Sequence, residues 1–107
     1  MNVLIDYLYR DAGNNKIWAE VIFSNKINID VSILEEKIKS ALIDQVFFSA
    51  KDLGLSPLFF QESDKELDHG WHEYDGISVT TKFPNDNSDR DICDFIEQLQ
   101  SLNLTMI

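Results

Sequence analysis

The sequence predicts an α+β domain, and three observations carry that reading. Two runs rich in β-branched and aromatic residues flank a polar, turn-rich loop near the start of the chain. Two later segments repeat their apolar residues at helical spacing. The remaining apolar runs are too short for helices. The order is strand, strand, helix, strand, strand, helix (β-β-α-β-β-α). The economical arrangement is a small, mainly antiparallel sheet of about four strands with two helices on one face.

Residues 3–9 read as the first strand. Val3, Ile5, Tyr7 and Tyr9 share one face, and Leu4 and Leu8 lie with Asp6 on the other, as in a central strand. Residues 10–16 hold Gly13 and the Asn14-Asn15 pair, which tolerate left-handed backbone. Residues 17–23 resume a strand, so the two runs form an antiparallel hairpin. Ser32 and Glu35 have capping-box spacing, and Leu34, Ile38, Ala41 and Leu42 follow on one helical face, predicting a helix over 32–44.

Val46 to Phe48 reads as a short third strand, followed by a turn that Gly54 ends and Pro57 keeps from continuing. Leu58-Phe59-Phe60 is directed to the core, and 61–70 is a charged connection. Trp71 to Phe83 reads as strand, interrupted near Asp75-Gly76, a good turn pair. Ser88 is placed to cap a second helix over 89–102, with Asp89 and Asp91 complementing its dipole and Ile92, Phe95, Ile96 and Leu99 on its apolar face. The tail from Leu102 to Ile107 is apolar enough to dock.

At 107 residues with 44% hydrophobic and 11% aromatic content, the chain suits one domain, 1–107, with a core that needs no staples. Cys93 is the sole cysteine, which excludes an internal disulfide framework and a multi-cysteine zinc site and fits a reducing compartment. A small buried hydrophobe is its expected role. No basic segment precedes the short apolar run at the N-terminus, and no apolar stretch is long enough to span a bilayer. A cytoplasmic protein is expected.

The formal net charge of -10 is unevenly spread. Residues 1–61 carry eight acids and six bases, whereas residues 62–97 carry eleven acids and three bases. Such a field repels phosphate backbones and anionic membranes, so direct nucleic-acid or membrane binding is not expected. It suits a basic protein partner or cations, and it also serves solubility alone.

Two polar clusters stand out. The first is the loop Tyr9 to Lys16 with Trp18 behind it, where Arg10, Asp11, Asn14 and Lys16 offer donors and acceptors around Gly13. It would suit an anion or a peptide carboxylate, or it is a hairpin turn whose side chains satisfy its own backbone. It is no P-loop, because the Walker spacing is missing. The second runs from Asp68 to Asp75 and holds both histidines, His69 and His72, with Trp71, Glu73 and Tyr74. Histidine with carboxylate is the usual ligand set of a catalytic zinc or non-heme metal, giving His69, His72 and Asp75 as candidate metal ligands. Against this, residues three apart in a strand face opposite ways, and the helical His-Glu-x-x-His signature is absent. The alternatives are a local polar network and a protein contact made by Asp68, Trp71, Glu73 and Tyr74. No nucleophile-elbow signature is present.

These clusters carry a resemblance. The stretch Leu8 to Lys16, Trp18, Val21 to Asn25, the helix Leu34 to Leu42, Phe59-Phe60, and the Asp68-His69-Gly70-Trp71-His72-Glu73-Tyr74 block together resemble a family of short bacterial proteins of unassigned function. Its blocks read Tyr-Arg-Asp-Ala-Gly-Asn-x-Lys and Asp-His-x-Trp-His-Glu, and Asn15 stands where an aromatic is expected. The resemblance implies a stand-alone bacterial cytoplasmic protein and no particular activity.

The leading expectation is an acidic protein-interaction module, of a binding, inhibitor or immunity type, with a basic partner and no cofactor. The alternative is a small metal-dependent hydrolase using a divalent metal at the His69/His72 cluster. The balance is against an enzyme. Self-association into a homodimer through a sheet edge or the apolar tail is a third expectation.

Overall fold

The hairpin forms where the alternating pattern places it. In the computed structural model, which describes residues 1–58 and 71–105, β1 runs Asn2–Arg10 and β2 runs Lys16–Phe23. They pair antiparallel from Val3↔Phe23 to Arg10↔Lys16. The turn is closed by the Asn14 N–H, which donates to the Asp11 carbonyl at 3.0 Å. Asn14, rather than Gly13, takes the left-handed backbone, with φ 67°. The Asp11 carboxylate accepts the Asn15 amide at 2.8 Å and the Asn15 side chain at 3.1 Å, so this loop satisfies much of its own backbone.

The first helix, α1, spans Val31–Ala41, and its cap is Asp30 rather than Ser32. Asp30 Oδ1 accepts both the backbone N–H and the hydroxyl of Ser32 at 2.9 Å. With Asp30 at the cap, Ser32 lies inside the first turn, so the Ser32–Glu35 box does not form and Glu35 instead accepts the Tyr74 hydroxyl. The helix is shorter than the apolar spacing suggests. Leu42 is already extended, and Asp44 and Gln45 take positive φ of 52° and 61°, which ends any helical turn there.

β3 (Phe47–Ser49) and β4 (Trp71–Thr80) complete one four-stranded antiparallel sheet in the order β2-β1-β4-β3. β1 is central, in keeping with its two apolar faces. Gly54 supplies a positive φ of 71° in the turn after β3, where its N–H donates to the Lys51 carbonyl. Asp75-Gly76 is not a turn. β4 continues through it with a β-bulge: Asp6 pairs Gly76 and Tyr7 pairs Tyr74, leaving Asp75 as the extra residue. A bulge absorbs one residue while the ladder resumes on both sides, so a turn-forming pair can sit inside a strand.

The second helix, α2, spans Ile92–Thr105 and starts later than predicted. Asp91 takes the capping role assigned to Ser88: its Oδ2 accepts the Cys93 N–H at 3.1 Å, and Asp94 returns a bond to the Asp91 N–H at 3.3 Å. Asp89 has a φ of 52°, which keeps 88–90 out of the helix. Asp91 also accepts the Ser24 hydroxyl and the Lys26 amide through Oδ1, tying α2 to the end of β2. Burial alone would raise its pKa, but these hydrogen bonds hold it below the usual range.

Both helices pack on one face of the sheet. Val3, Ile5 and Tyr7 of β1, Val21 and Phe23 of β2, and Phe48 meet Leu34 and Ile38 of α1 and Ile92, Phe95, Ile96 and Leu99 of α2. Arg90 closes this core at its rim. It forms a two-point ion pair with Asp86 at 2.8–2.9 Å, donates to the Leu53 carbonyl, and lies over the rings of Phe23 and Phe95. Leu58 packs against the core; Phe59, Phe60 and the charged connection lie outside the described residues. Among the described residues no helix is long and apolar enough to cross a membrane.

Candidate functional site

Strand alternation gives the sheet a second face, turned away from the helices. On β1 it carries Leu4, Asp6, Leu8 and Arg10; on β2 it carries Lys16, Trp18, Glu20 and Ile22. Their cross-strand pairs are Leu4↔Ile22, Asp6↔Glu20, Leu8↔Trp18 and Arg10↔Lys16. Leu8 also pairs Glu73 on the neighbouring strand. Leu4, Leu8 and Ile22 are buried even on this side, whereas Trp18 is 55% exposed.

The first sequence cluster is assembled at one end of this face. Arg10 donates through Nε to Glu73 Oε2 at 2.8 Å and through Nη2 to Oε1 at 3.3 Å, and its Nη1 donates to Asn14 Oδ1. The Lys16 ammonium lies 5.9 Å from the Trp18 ring centroid, within cation–π range. Arg10, Asn14, Lys16, Trp18 and Glu73 are therefore neighbours, with Asp11 tied into the turn beneath them.

The middle of the same face is acidic. Asp6 has its pKa raised, first by burial and then by the negative charges of Glu20 and Asp75. Glu20 stands directly across from Asp6, and Asp75 occupies the bulge beside Asp6's other partner, Gly76. Among the described residues the one ion pair beside this row is loose, Lys82 to Glu20 at 3.8 Å. Asp6 and Glu20 escape a reading of loops and clusters. The signal for them is an acid set at an alternating position within each apolar strand, and the cross-strand register that makes them neighbours.

The second cluster is split by its strand. His72 turns into the helix-covered side and is 2% exposed. Its Nε2 accepts the Leu58 N–H at 2.9 Å, and its ring lies within 6.0 Å, centroid to centroid, of Tyr7, Tyr9 and Phe48. Tyr74 shares that side and donates its hydroxyl to Glu35 Oε2 at 2.7 Å. Burial and the Glu35 carboxylate push its phenol pKa up. Glu73 faces the other way, to Arg10. Asp75 is exposed at the bulge. Trp71 lines a shallow apolar groove of about 150 Å³ with Ala41, Phe48, Leu53 and Leu99. Asp68 and His69 lie outside the described residues.

The two sequence blocks thus adjoin, joined by Arg10 and Glu73, and among the described residues the Trp71 groove takes no residue of the first block. A second groove of about 220 Å³, lined by Tyr7, Glu20, Ser56, Asn85 and Asn87, also excludes Arg10 and Glu73. Among the described residues no three His, Cys, Asp or Glu side chains are grouped to hold a metal ion. Cys93 is half-buried against the core, and burial pushes its thiol pKa up. Ser24 and Asn25, at the end of the first block, serve the fold: Ser24 donates to Asp91, and Asn25 brackets the backbone of Ile29 with both side-chain atoms.

Compared with protein-family models, characterised proteins and solved structures, the chain matches none.

Proposed function

We propose that this chain is an acidic protein-interaction module that receives a basic protein partner on the sheet face turned away from its helices. The observation that carries the reading is the acidic row on that face, where Asp6 stands directly across from Glu20 and Asp75 occupies the adjoining bulge; burial and these two charges push the Asp6 carboxyl up. Carboxylates held against one another on a rigid sheet are relieved when a cation arrives, so their mutual repulsion favours a Lys- or Arg-bearing surface. Trp18 adds an exposed aromatic anchor on the same face. The overall charge of -10 speeds encounter with such a partner and disfavours nucleic acid.

The test is affinity capture from a lysate of the source organism across a salt series, with wild type beside an Asp6→Asn/Asp75→Asn variant. The reading expects a partner retained at low ionic strength and lost both at high salt and in the variant. Capture that is indifferent to salt and to the two substitutions overturns it.

A further inference from the structure

β2 is an outer strand of the sheet, and its two ends fix which of its backbone groups point outward. At the hairpin end the Asp11 N–H donates to the Asn15 carbonyl at 3.0 Å, so odd-numbered residues of β2 turn their backbone toward β1. At the other end the Ile22 N–H donates to Asn85 Oδ1 at 2.8 Å and the Ile22 carbonyl accepts the Asn85 N–H at 3.0 Å. The Ser24 carbonyl accepts the Ile92 N–H in the same phase. Even-numbered residues therefore point away from the sheet. Asn85 and Ile92 cover the edge from Ile22 onward. Lys16, Trp18 and Glu20 present their N–H and C=O groups on the open part, where no described residue bonds them.

The side chains of this open edge are self-complementary. We infer that β2 is a homodimer edge, at which two copies pair antiparallel about a two-fold axis at Trp18 and join their sheets into one. In that register Trp18 meets the partner's Trp18, and Lys16 meets the partner's Glu20 at both ends. All of these are outward-pointing positions, so they form closely hydrogen-bonded pairs, about six backbone bonds in total. The interface is isologous, as a two-fold axis requires.

Charge singles out this axis. Centring the pair on Lys16 or on Glu20 sets like charges opposite one another. Centring it on Ala19 brings Lys16 to Ile22, whose edge Asn85 already holds. Centring it on Ile17 sends Glu20 to the Asn14 turn and leaves neither charge an opposite charge across the seam, Glu20 keeping only its loose pair with Lys82 in its own chain. The Trp18 axis also continues the pattern inward. Within each hairpin Asp6 stands beside Glu20 and Arg10 beside Lys16, so an acidic row of one copy runs on into a basic row of the other. A lone lysine on an edge strand normally deters pairing; here the glutamate two positions beyond Trp18 turns it into a register key.

This inference goes beyond the acidic-face reading and shares Trp18 and Glu20 with it, but that reading is tested by partner capture on Asp6 and Asp75 and this one by the state of self-association, so the failure of one is distinguishable from the failure of the other. Sedimentation equilibrium over a concentration series, with wild type, Lys16→Glu, Glu20→Lys and the double exchange Lys16→Glu/Glu20→Lys, decides it. Wild type should show a reversible monomer–dimer equilibrium. Each single reversal alters both symmetric pairs and should weaken dimerisation about tenfold or more, and the double exchange should restore it. Amide exchange supplies a second readout: the N–H groups of Lys16, Trp18 and Glu20 should slow with rising protein concentration, while those of Ile17 and Ala19, already turned to β1, should not change. A wild-type chain that stays monomeric, single reversals that leave the dimer intact, or a double exchange that fails to restore it would each overturn the assignment.

Discussion

Arg10 and Glu73 meet across the sheet in a two-point contact, with Nε donating to Oε2 at 2.8 Å and Nη2 to Oε1 at 3.3 Å. Because Nη1 of the same guanidinium holds Asn14 Oδ1, one side chain braces the hairpin turn against β4. The expected outcome is a coupled but modest contribution. Arg10→Ala and Glu73→Ala should each lower the urea midpoint slightly, and the double variant should lose less than the sum of the two. Arg10→Lys should not rescue, since an ammonium cannot span both carboxylate oxygens and the turn. A double-mutant cycle with no coupling would show that the contact adds geometry and no stability.

The Asp86–Arg90 pair should behave very differently, because its side chains are only 1% and 11% exposed. Arg90→Ala leaves a buried carboxylate without its counter-ion and should cost about 3–5 kcal/mol. Arg90→Lys should rescue little, since Arg90 also donates to Leu53 and Gln98 and stacks on two aromatic rings. The pH sign follows from Asp86. Burial would raise its pKa, but the hydrogen bonds and charge of Arg90 hold it below the ordinary range. Its contribution is therefore present at neutral pH and is lost as the pH falls through the depressed titration. Urea unfolding of wild type and Asp86→Asn at neutral and acid pH should show a gap that narrows on acidification.

The element order was legible because it rests on periodicity: alternation in β1 and β2, and helical spacing at Leu34-Ile38 and Ile92-Phe95-Ile96-Leu99. Element ends were less so, because neighbouring residues compete for them. Asp30 caps in place of Ser32 and Asp91 in place of Ser88, because several side chains in each stretch can cap and the backbone decides which of them stands at the first amides. Asp75-Gly76 has turn chemistry, yet the ladder to β1 resumes beyond it and a bulge results. For the candidate site, the Arg10–Trp18 loop was legible from composition. The acidic row was not, because Asp6 and Glu20 become neighbours only through the hairpin register, and the charge count drew attention to 62–97 instead.

His72 should prove a stability residue. It is buried among aromatic rings and its Nε2 accepts the Leu58 amide. His72→Phe keeps an aromatic ring at this position but strands the Leu58 N–H, at a cost of about 1–3 kcal/mol. The matching expectation is that zinc or manganese leaves the thermal midpoint of the wild-type protein unchanged. A metal-induced rise that disappears in His72→Phe would instead show that this imidazole leaves Leu58 to bind the ion.

Asp6 offers the sharpest separation of stability from function. Its pKa is raised by burial and by Glu20 and Asp75, so the folded chain holds this proton more tightly than the unfolded chain does. Stability from this group is greatest in acid, where both forms are protonated, and falls as the pH rises from the ordinary aspartate range through the raised folded pKa. Asp6→Asn should therefore stabilise the protein at neutral pH, by about 0.5–1 kcal/mol on the scale of like-charge cross-strand contacts, with the gain shrinking in acid. The same substitution should weaken capture of a basic partner. Opposite signs in the two measurements are what a binding carboxylate predicts, since a charge repelled by its neighbours in the free chain is relieved by a cationic partner. If Asp6→Asn instead lowers stability and leaves capture unchanged, Asp6 serves the sheet and the acidic face loses its central residue.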